Sequence, residues 1–192
     1  MPPTTHIADR FAHSRDGAPV AILDRDGTIV VDRGYLSDPA GLTFEPGAAE
    51  GILWLHEHGY RLVVITNQSG VGRGFFPMDR VEAMNARLRA MVEEIGARHA
   101  GIYVCPHAPS DGCDCRKPAQ RLMQQAAAEL GFDPASSVVI GDKQSDVDFG
   151  RRAGAKTVLI AGSDAVRQDA VRQDAADLIT PDLLTAARAL TS

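Results

Sequence analysis

The chain has 192 residues, 44% of them hydrophobic, with a formal net charge of -5 and a sequence pI of about 5.6. This length is enough for one domain with a full hydrophobic core. The acidic balance disfavours bulk nucleic-acid binding, which usually shows a basic stripe, and no apolar run reaches the roughly 18 residues that span a bilayer. We therefore expect a cytoplasmic, monomeric protein without membrane or nucleic-acid partners. Residues 1–17 are predicted as a loose leader, because they lack the apolar stretch of a signal peptide.

Strand-like and helix-like segments alternate from about residue 19 to the end of the chain. Short β-branched runs indicate strands, and apolar residues at helical spacing between Pro and Gly indicate helices. The predicted strands cover 20–24, 61–66, 101–105, 138–141 and 157–160, and the predicted helices cover 46–59, 77–98, 118–130, 146–153 and 181–190. Repeated β–α units predict an α/β fold: a three-layer, Rossmann-like parallel sheet with helices on both faces. A local repeat over 165–174 is interpreted as a solvated surface segment.

Three carboxylates stand at the ends of predicted buried strands. Asp24 and Asp26 follow the first strand, and Asp142 follows the strand at 138–141. The carboxyl ends of parallel strands meet at one edge of a sheet, where ligands bind in open α/β folds. Carboxylates that converge repel each other unless a hard divalent cation lies between them. The pattern therefore predicts a magnesium-dependent active site.

All cysteines of the chain fall within eleven residues, in the pattern Cys105-Pro-His107 followed by Cys113-Asp-Cys115. Three thiolates and one imidazole form a ligand set suited to tetrahedral Zn²⁺. A disulfide is the competing interpretation, but an odd number of cysteines in a cytoplasmic protein disfavours it. We expect a structural Zn²⁺ site in a loop over 105–115.

Four ordered motifs resemble those of the haloacid dehalogenase (HAD) superfamily of phosphotransferases. They begin at Asp24 (Asp-Arg-Asp-Gly-Thr), Ile65 (Ile-Thr-Asn-Gln-Ser-Gly), Arg116 (Arg-Lys-Pro) and Gly141 (Gly-Asp-Lys), and the resemblance covers roughly residues 19–162. It implies one HAD-like domain over 18–192. The segments after the first and second strands are too short for a separate cap domain, so a capless fold is expected.

The resemblance also implies a role for each motif residue. Asp24 is expected to be the nucleophile and Asp26 the general acid and base. Mg²⁺ is expected to bind Asp24, the backbone carbonyl of Asp26 and Asp142. Thr66 and Lys117 are expected to bind the transferring phosphoryl group, with Lys117 close to the start of the 118–130 helix. Taken alone, Thr66 is better explained as a helix N-cap or a turn, and only its order between the other motifs favours the phosphoryl-binding role.

The zinc-type cluster directly before Arg116 narrows the resemblance to a subgroup of heptose bisphosphate phosphatases and histidinol-phosphatase domains. Similarity to the heptose enzymes implies hydrolysis of one phosphate monoester of a small sugar bisphosphate. It assigns substrate binding to Asp32, Arg33, Gly34, Tyr35, Asn67, Gln68, Ser69, Arg116 and Lys143, the last two as partners of the second phosphate. An Asx turn with a packed tyrosine is an equal interpretation of 32–35. Histidinol phosphate is the alternative substrate, and a non-catalytic phosphate- or zinc-binding module is the alternative function. Asp146 is interpreted either as a helix cap or as a group that orients Lys143 or a metal-bound water.

Overall fold

The structure of the protein is a computed structural model that describes residues 17–162 and 176–192 and the backbone of residues 6–8. The repeat at 165–174 and most of the predicted leader lie outside these described residues. In the described part of the chain, none of the helices has the length and apolar character needed to cross a membrane.

Strands and helices alternate along the described chain. The strands are β1 (His6–Ala8), β2 (Val20–Leu23), β3 (Arg61–Asn67), β4 (His99–Cys105), β5 (Ser137–Gly141), β6 (Lys156–Ile160) and β7 (Leu178–Thr180). The helices are α1 (Ala48–Glu57), α2 (Ser69–Gly72), α3 (Met78–Glu94), α4 (Arg121–Leu130), α5 (Gln144–Arg152) and α6 (Leu183–Leu190), with short 3-10 turns at Pro39–Gly41, Pro109–Asp111 and Pro134–Ser136.

The strands form one seven-stranded sheet in the order β1-β4-β3-β2-β5-β6-β7. Strands β2 to β7 are parallel, and β1 pairs antiparallel with β4 at the edge. The central strand β2 lies between β3 and β5, with Leu23 opposite Val64 and Ile140. The carboxyl ends of these three strands are therefore neighbours, and the loops that follow them share one edge of the sheet.

Each face of the sheet is covered by helices. Alternate residues of β2 point to opposite faces, as a strand requires: Ala21 and Leu23 pack in one buried cluster with α1, α3 and α6, whereas Val20 and Ile22 pack in a second with α4 and α5. The predicted three-layer α/β architecture is confirmed. The described segments 24–47 and 68–77, which follow β2 and β3, contain turns, one 3-10 helix and α2 but no further sheet.

Several boundaries differ from the predictions. Helix α3 ends at Glu94, because Gly96 takes a positive φ of 87° and the chain turns into β4, which begins at His99. Helix α4 begins at Arg121, so the prediction that Pro118 lies in its first turn is wrong. Helix α5 begins at Gln144, because the Asp146 carboxylate accepts a hydrogen bond from the Lys143 N–H and caps it.

Three short elements were not predicted. Strands β1 and β7 have three residues each, and α2 has four, so none is long enough to show a periodic apolar pattern. His6–Ala8 lies in the segment predicted as a loose leader, and its backbone pairs with Gly101–Tyr103 of β4. This pairing satisfies the hydrogen-bonding groups of a strand edge that would otherwise be open.

Candidate active site

Three carboxylates converge where β2 and β5 end. Oxygen atoms of Asp24, Asp142 and Asp146 all lie within 4.8 Å of one another. Gly27 makes the approach possible, because it has a φ of 81° and a Cβ at this position would stand 2.7 Å from Cγ of Asp142. A side chain at residue 27 would therefore push the Asp142 carboxylate away from the loop that carries Asp24. The predicted meeting of Asp24 and Asp142 is seen, and Asp146 joins them.

Lys117 lies at the centre of this cluster. Its Nζ is 2.9 Å from Asp24 Oδ1 and 2.6 Å from Asp146 Oδ1, and it donates to the Ile65 carbonyl at 2.7 Å. Burial alone would lower the pKa of Lys117, but the adjacent carboxylates of Asp146 and Asp24 outweigh burial and raise it. The ammonium therefore stays charged at neutral pH. It is held by two carboxylates and a carbonyl rather than by the start of a helix.

Asp142 has the weakest pairing with positive charge of the three carboxylates: Lys117 contacts Asp24 and Asp146, and among the described residues Asp142 has only Lys143 at 3.5 Å. Burial raises its pKa to about 7, with Lys143 opposing the change and Asp24 and Asp146 adding to it. Its Oδ1 is buried and has no hydrogen-bond partner. A buried carboxylate oxygen without a donor, close to two other carboxylates, fits a hard divalent cation, which takes oxygen ligands. The residues present therefore fit Mg²⁺.

The Asp26 side chain lies outside this carboxylate cluster. Its carboxylate accepts hydrogen bonds from Arg25 Nε at 3.1 Å, from Arg25 Nη2 at 3.2 Å and from Gln68 Nε2 at 2.7 Å. The Gln68 amide also donates to the Thr66 hydroxyl at 2.9 Å. Thr66 is buried within β3, and the N-cap of α2 is Gln68, so the N-cap interpretation of Thr66 is wrong.

Asn67 and Arg116 flank the Lys117 segment. The Asn67 side chain accepts from the Lys117 N–H at 3.0 Å and donates to its carbonyl at 3.3 Å, so this amide fixes the backbone that carries the lysine. Arg116 has a buried Nη1 without a hydrogen-bond partner. A guanidinium nitrogen that is out of water and unpaired is costly, and an anionic ligand would relieve that cost.

The loop over 32–35 lies at the exposed rim. Asp32 accepts from the Gly34 N–H at 2.9 Å, which is an Asx turn, and its other oxygen pairs with Lys143 Nζ at 3.2 Å. The Tyr35 ring contacts Phe75 edge to face, with ring centroids 4.5 Å apart. Arg33 is exposed in this turn, and Ser69 begins α2 beside Gln68. The ion pair ties the loop to the carboxylate cluster, because Lys143 Nζ is also 3.5 Å from Asp142 Oδ2.

The four predicted zinc ligands come together. Sγ of Cys115 is 3.0 Å from Cys105 and 3.6 Å from Cys113, and His107 Nδ1 is 3.1 Å from Cys115. These separations exceed a disulfide bond of about 2.05 Å, and all three cysteines are free. Donors at about 2.0–2.3 Å from one tetrahedral Zn²⁺ are separated by roughly 3.5–3.8 Å. The donor set therefore fits zinc, with small outward shifts of the closest pairs.

The cysteine loop braces the loop that follows β3. The Cys105 carbonyl accepts from the Gln68 N–H at 2.7 Å, and the Pro106 carbonyl accepts from the Gly72 N–H at 2.8 Å. Gly72 lies so close to this loop that a Cβ there would overlap the Ala108 backbone. Burial of Cys113 would raise its thiol pKa, but hydrogen bonds from the N–H groups of Cys115 and Arg116 lower it overall. The thiol cluster is thus connected both to Gln68 and to Arg116.

Sequence reasoning missed contacts of three residues. Asp146 caps α5, as one of its two interpretations had it, but its pairing with Lys117 was not predicted; its position four residues after Asp142 was the available signal. Gly141 permits this geometry, because a Cβ there would overlap the Asp146 carboxylate. Arg25 and Asn85 form a buried pair in which Arg25 Nη1 donates to Asn85 Oδ1 at 3.1 Å. They are 60 residues apart, so no local pattern links them.

Comparison with known proteins gives consistent results. A HAD-hydrolase-like family model matches residues 114–186. A D-glycero-β-D-manno-heptose-1,7-bisphosphate 7-phosphatase of Haemophilus ducreyi is 37% identical over 158 residues, covering 78% of this chain and 87% of the relative. The enzyme of the same name from Helicobacter pylori strain J99 is 41% identical over 139 residues, covering 72% of this chain and 80% of the relative.

Solved structures agree with these relatives. The D,D-heptose 1,7-bisphosphate phosphatase of B. bronchiseptica, complexed with magnesium and phosphate, has a TM-score of 0.80 and 28% identity, covering 90% of this chain and 97% of that one. A HAD-like phosphatase of Mesorhizobium loti has a TM-score of 0.75 and 32% identity, covering 90% and 87% of the two chains.

Proposed function

Given that this chain belongs to the HAD family of phosphatases, we propose that it removes the phosphate at carbon 7 of D-glycero-D-manno-heptose 1,7-bisphosphate and prefers the β-anomer. The observation that carries this proposal is the buried arrangement in which Lys117 pairs with Asp24 and Asp146 beside Asp142. The names of the relatives support the choice of sugar and anomer.

In the first step Asp24 attacks phosphorus. Its Oδ1 is held by the Arg25 N–H at 2.7 Å and by Lys117 at 2.9 Å, so Oδ2 is the oxygen that forms the new bond. The bond between phosphorus and the carbon-7 oxygen breaks, and Asp26 gives that oxygen a proton. In the second step Asp26 takes a proton from water, whose oxygen attacks phosphorus and releases Asp24 and inorganic phosphate. Lys117 and Thr66 bind the phosphoryl oxygens, where charge must be neutralised.

Asp24, Asp142 and the backbone carbonyl of Asp26 would hold Mg²⁺. When bound, the ion would neutralise charge on the phosphoryl oxygens and orient them for in-line attack. The carboxylates of Asp24 and Asp142 would then no longer repel each other. The unpartnered, buried Oδ1 of Asp142 supports this assignment.

Arg116 and Lys143 would bind the second phosphate, the one that stays on the sugar. Arg116 supplies a buried guanidinium nitrogen without a partner, and a guanidinium matches a phosphate with paired hydrogen bonds. Lys143 is half-exposed beside Asp32. The loop over 32–35 and the Asn67–Ser69 segment would contact the sugar. This subsite favours a bisphosphate over histidinol phosphate, which has one phosphate and a cationic amine.

Cys105, His107, Cys113 and Cys115 would hold a structural Zn²⁺. With four protein donors the site is closed to substrate, so its contribution is to fix the loop that carries Arg116 and Lys117. Cysteines that are not paired in disulfides are typical of reducing compartments, which supports a cytoplasmic location for the enzyme.

The test is phosphate release, with Mg²⁺, from both anomers of the bisphosphate and from histidinol phosphate. Asp24→Asn is the blank, and Arg116→Ala removes the subsite for the second phosphate. We expect the β-anomer to have the highest kcat/KM and Arg116→Ala to lower it at least tenfold, with a smaller effect on a monophosphate. Faster turnover of histidinol phosphate would move the assignment to that substrate and leave the site chemistry unchanged.

A further inference from the structure

Arg25 is a buried charge next to the active site. Only 2% of its surface is exposed, and a guanidinium stays protonated in proteins. On one side it donates to both oxygens of Asp26, and on the other its Nη1 donates to Asn85 Oδ1 at 3.1 Å. Asn85 lies on α3 and is itself buried, with 8% exposed. The guanidinium is therefore held between a carboxylate of the site and a helix of the core.

Stability alone gives little reason for such a pair. Replacing a buried ion pair by apolar side chains of similar volume is often neutral or stabilising, because both charges lose their hydration on burial. Here Arg25 is buried and the Asp26 side chain is 21% exposed, and the pair does restrict the orientation of the Asp26 carboxylate. The torsion that turns a carboxylate about its Cβ–Cγ bond is broad in the absence of partners, and three donor nitrogen atoms, from Arg25 and Gln68, restrict it for Asp26.

We propose that Arg25 and Asn85 are positioning residues for the proton transfers made by Asp26. Asn85 fixes the guanidinium, and the guanidinium together with the Gln68 amide fixes the carboxylate. This inference rests on the proposed function, in which Asp26 exchanges protons with the leaving oxygen and with water. The Arg25 backbone N–H donates to Asp24, but the side chains of Arg25 and Asn85 do not contact the reacting atoms and act through Asp26.

A positioning role makes a selective prediction. The oxygen that leaves a sugar phosphate is an alkoxide and needs a proton as the bond to phosphorus breaks, whereas p-nitrophenolate is a stable anion and leaves without one. The value of kcat/KM reports the steps up to the first irreversible one, here phosphoryl transfer to Asp24. Misorientation of Asp26 should therefore lower kcat/KM for the alkyl ester and spare the aryl ester. A general loss of folding would lower both.

The experiment compares kcat/KM for heptose 1,7-bisphosphate and for p-nitrophenyl phosphate. Arg25→Met removes the guanidinium that contacts Asp26, and Asn85→Leu removes the amide that holds the guanidinium. Asn85→Asp keeps the acceptor oxygen, and Asp26→Asn is the reference for a lost acid. Arg87→Met is the matched control, because Arg87 lies on the same helix with its side chain 41% exposed. A positioned acid or base contributes about 10²- to 10⁴-fold, so we expect Arg25→Met to lose roughly 30- to 100-fold on the alkyl ester.

We expect less than about a threefold change on the aryl ester, in line with the proton-independent leaving group. Asn85→Leu should show the same pattern more weakly, and Asn85→Asp, which keeps the acceptor oxygen, should keep kcat/KM for the alkyl ester near the wild-type value. Equal losses on both esters, or unchanged rates in Arg25→Met, would overturn the positioning roles. A wild-type enzyme no faster than Asp24→Asn on either ester would instead overturn the proposed function. In that case a crystal structure of Asn85→Leu decides the inference, because it does not depend on turnover. The Asp26 carboxylate should leave its present orientation, and an unchanged orientation refutes the inference.

Discussion

Replacing Asp142 with Asn should stabilise the metal-free protein while abolishing its response to Mg²⁺. The substitution keeps the shape of the side chain and removes a charge that burial opposes. The pKa of Asp142 is raised from 3.8 to about 7, a difference of roughly 3 units, and each unit corresponds to about 1.36 kcal/mol. For a fully buried carboxylate this shift would correspond to a loss of about 4 kcal/mol in the free energy of unfolding, which is an upper limit for Asp142. The side chain retains 21% exposure, so we expect the variant to gain about 2 kcal/mol at pH 8.

The sign of the pH dependence follows from the raised pKa. Well above pH 7, Asp142 is ionised in both the folded and unfolded states, and the full cost of its burial is present. The cost shrinks as pH falls from about 7 towards 3.8, because the folded state then binds a proton that the unfolded state does not. The stability difference between Asp142→Asn and wild type should therefore shrink from pH 8 to pH 5.

Urea unfolding of both metal-free proteins over this pH range measures the difference, with Asp148→Asn, on the helix α5 that follows Asp142, as a control. At 100 times its dissociation constant, Mg²⁺ should add about 2.7 kcal/mol to the wild type and almost nothing to Asp142→Asn. A variant that is less stable than wild type at pH 8, or a difference that does not change with pH, would refute this account of the carboxylate cluster.

Three further variants test other parts of the site. Asp24→Asn should lower phosphate release by roughly 10⁴-fold or more, because it removes the proposed nucleophile, while circular dichroism shows an unchanged fold. Cys113→Ser should release zinc, measured by metal analysis, and lower turnover at least tenfold with little loss of helix; normal turnover without zinc would contradict the bracing role of the loop. Gly27→Ala should weaken Mg²⁺ binding at least tenfold, since the new Cβ meets the Asp142 carboxylate, and unchanged Mg²⁺ titrations would argue against the close approach.

The sequence predicts the architecture because the strands are short, apolar and regularly spaced. Val20–Leu23 and Ser137–Gly141 each end just before a carboxylate, so their parallel pairing is enough to bring Asp24 and Asp142 together. The cysteine cluster is equally local, since its four donors lie within eleven residues. These parts of the site follow from pattern and spacing alone.

Other parts depend on tertiary contacts that no local pattern reveals. The partnership of Arg25 and Asn85 requires α3 to lie over the first loop, and the place of Lys117 depends on Ile65 and Asp146 as much as on its neighbours in sequence. The start of α4 at Arg121 rather than at Pro118 shows that a favourable first-turn residue does not by itself begin a helix. The additional strands β1 and β7 were not predicted because three residues carry no periodic signal.

The role of Asp24 as nucleophile is the central claim, and it is tested most directly by mass spectrometry of the enzyme quenched with acid during turnover of heptose 1,7-bisphosphate. The account predicts that the peptide containing Asp24 gains the mass of one phosphoryl group, that the label maps to Asp24, and that Asp24→Asn shows neither label nor phosphate release. Phosphate release by Asp24→Asn at a rate near that of the wild type, or a phosphoryl group on another residue, would contradict it.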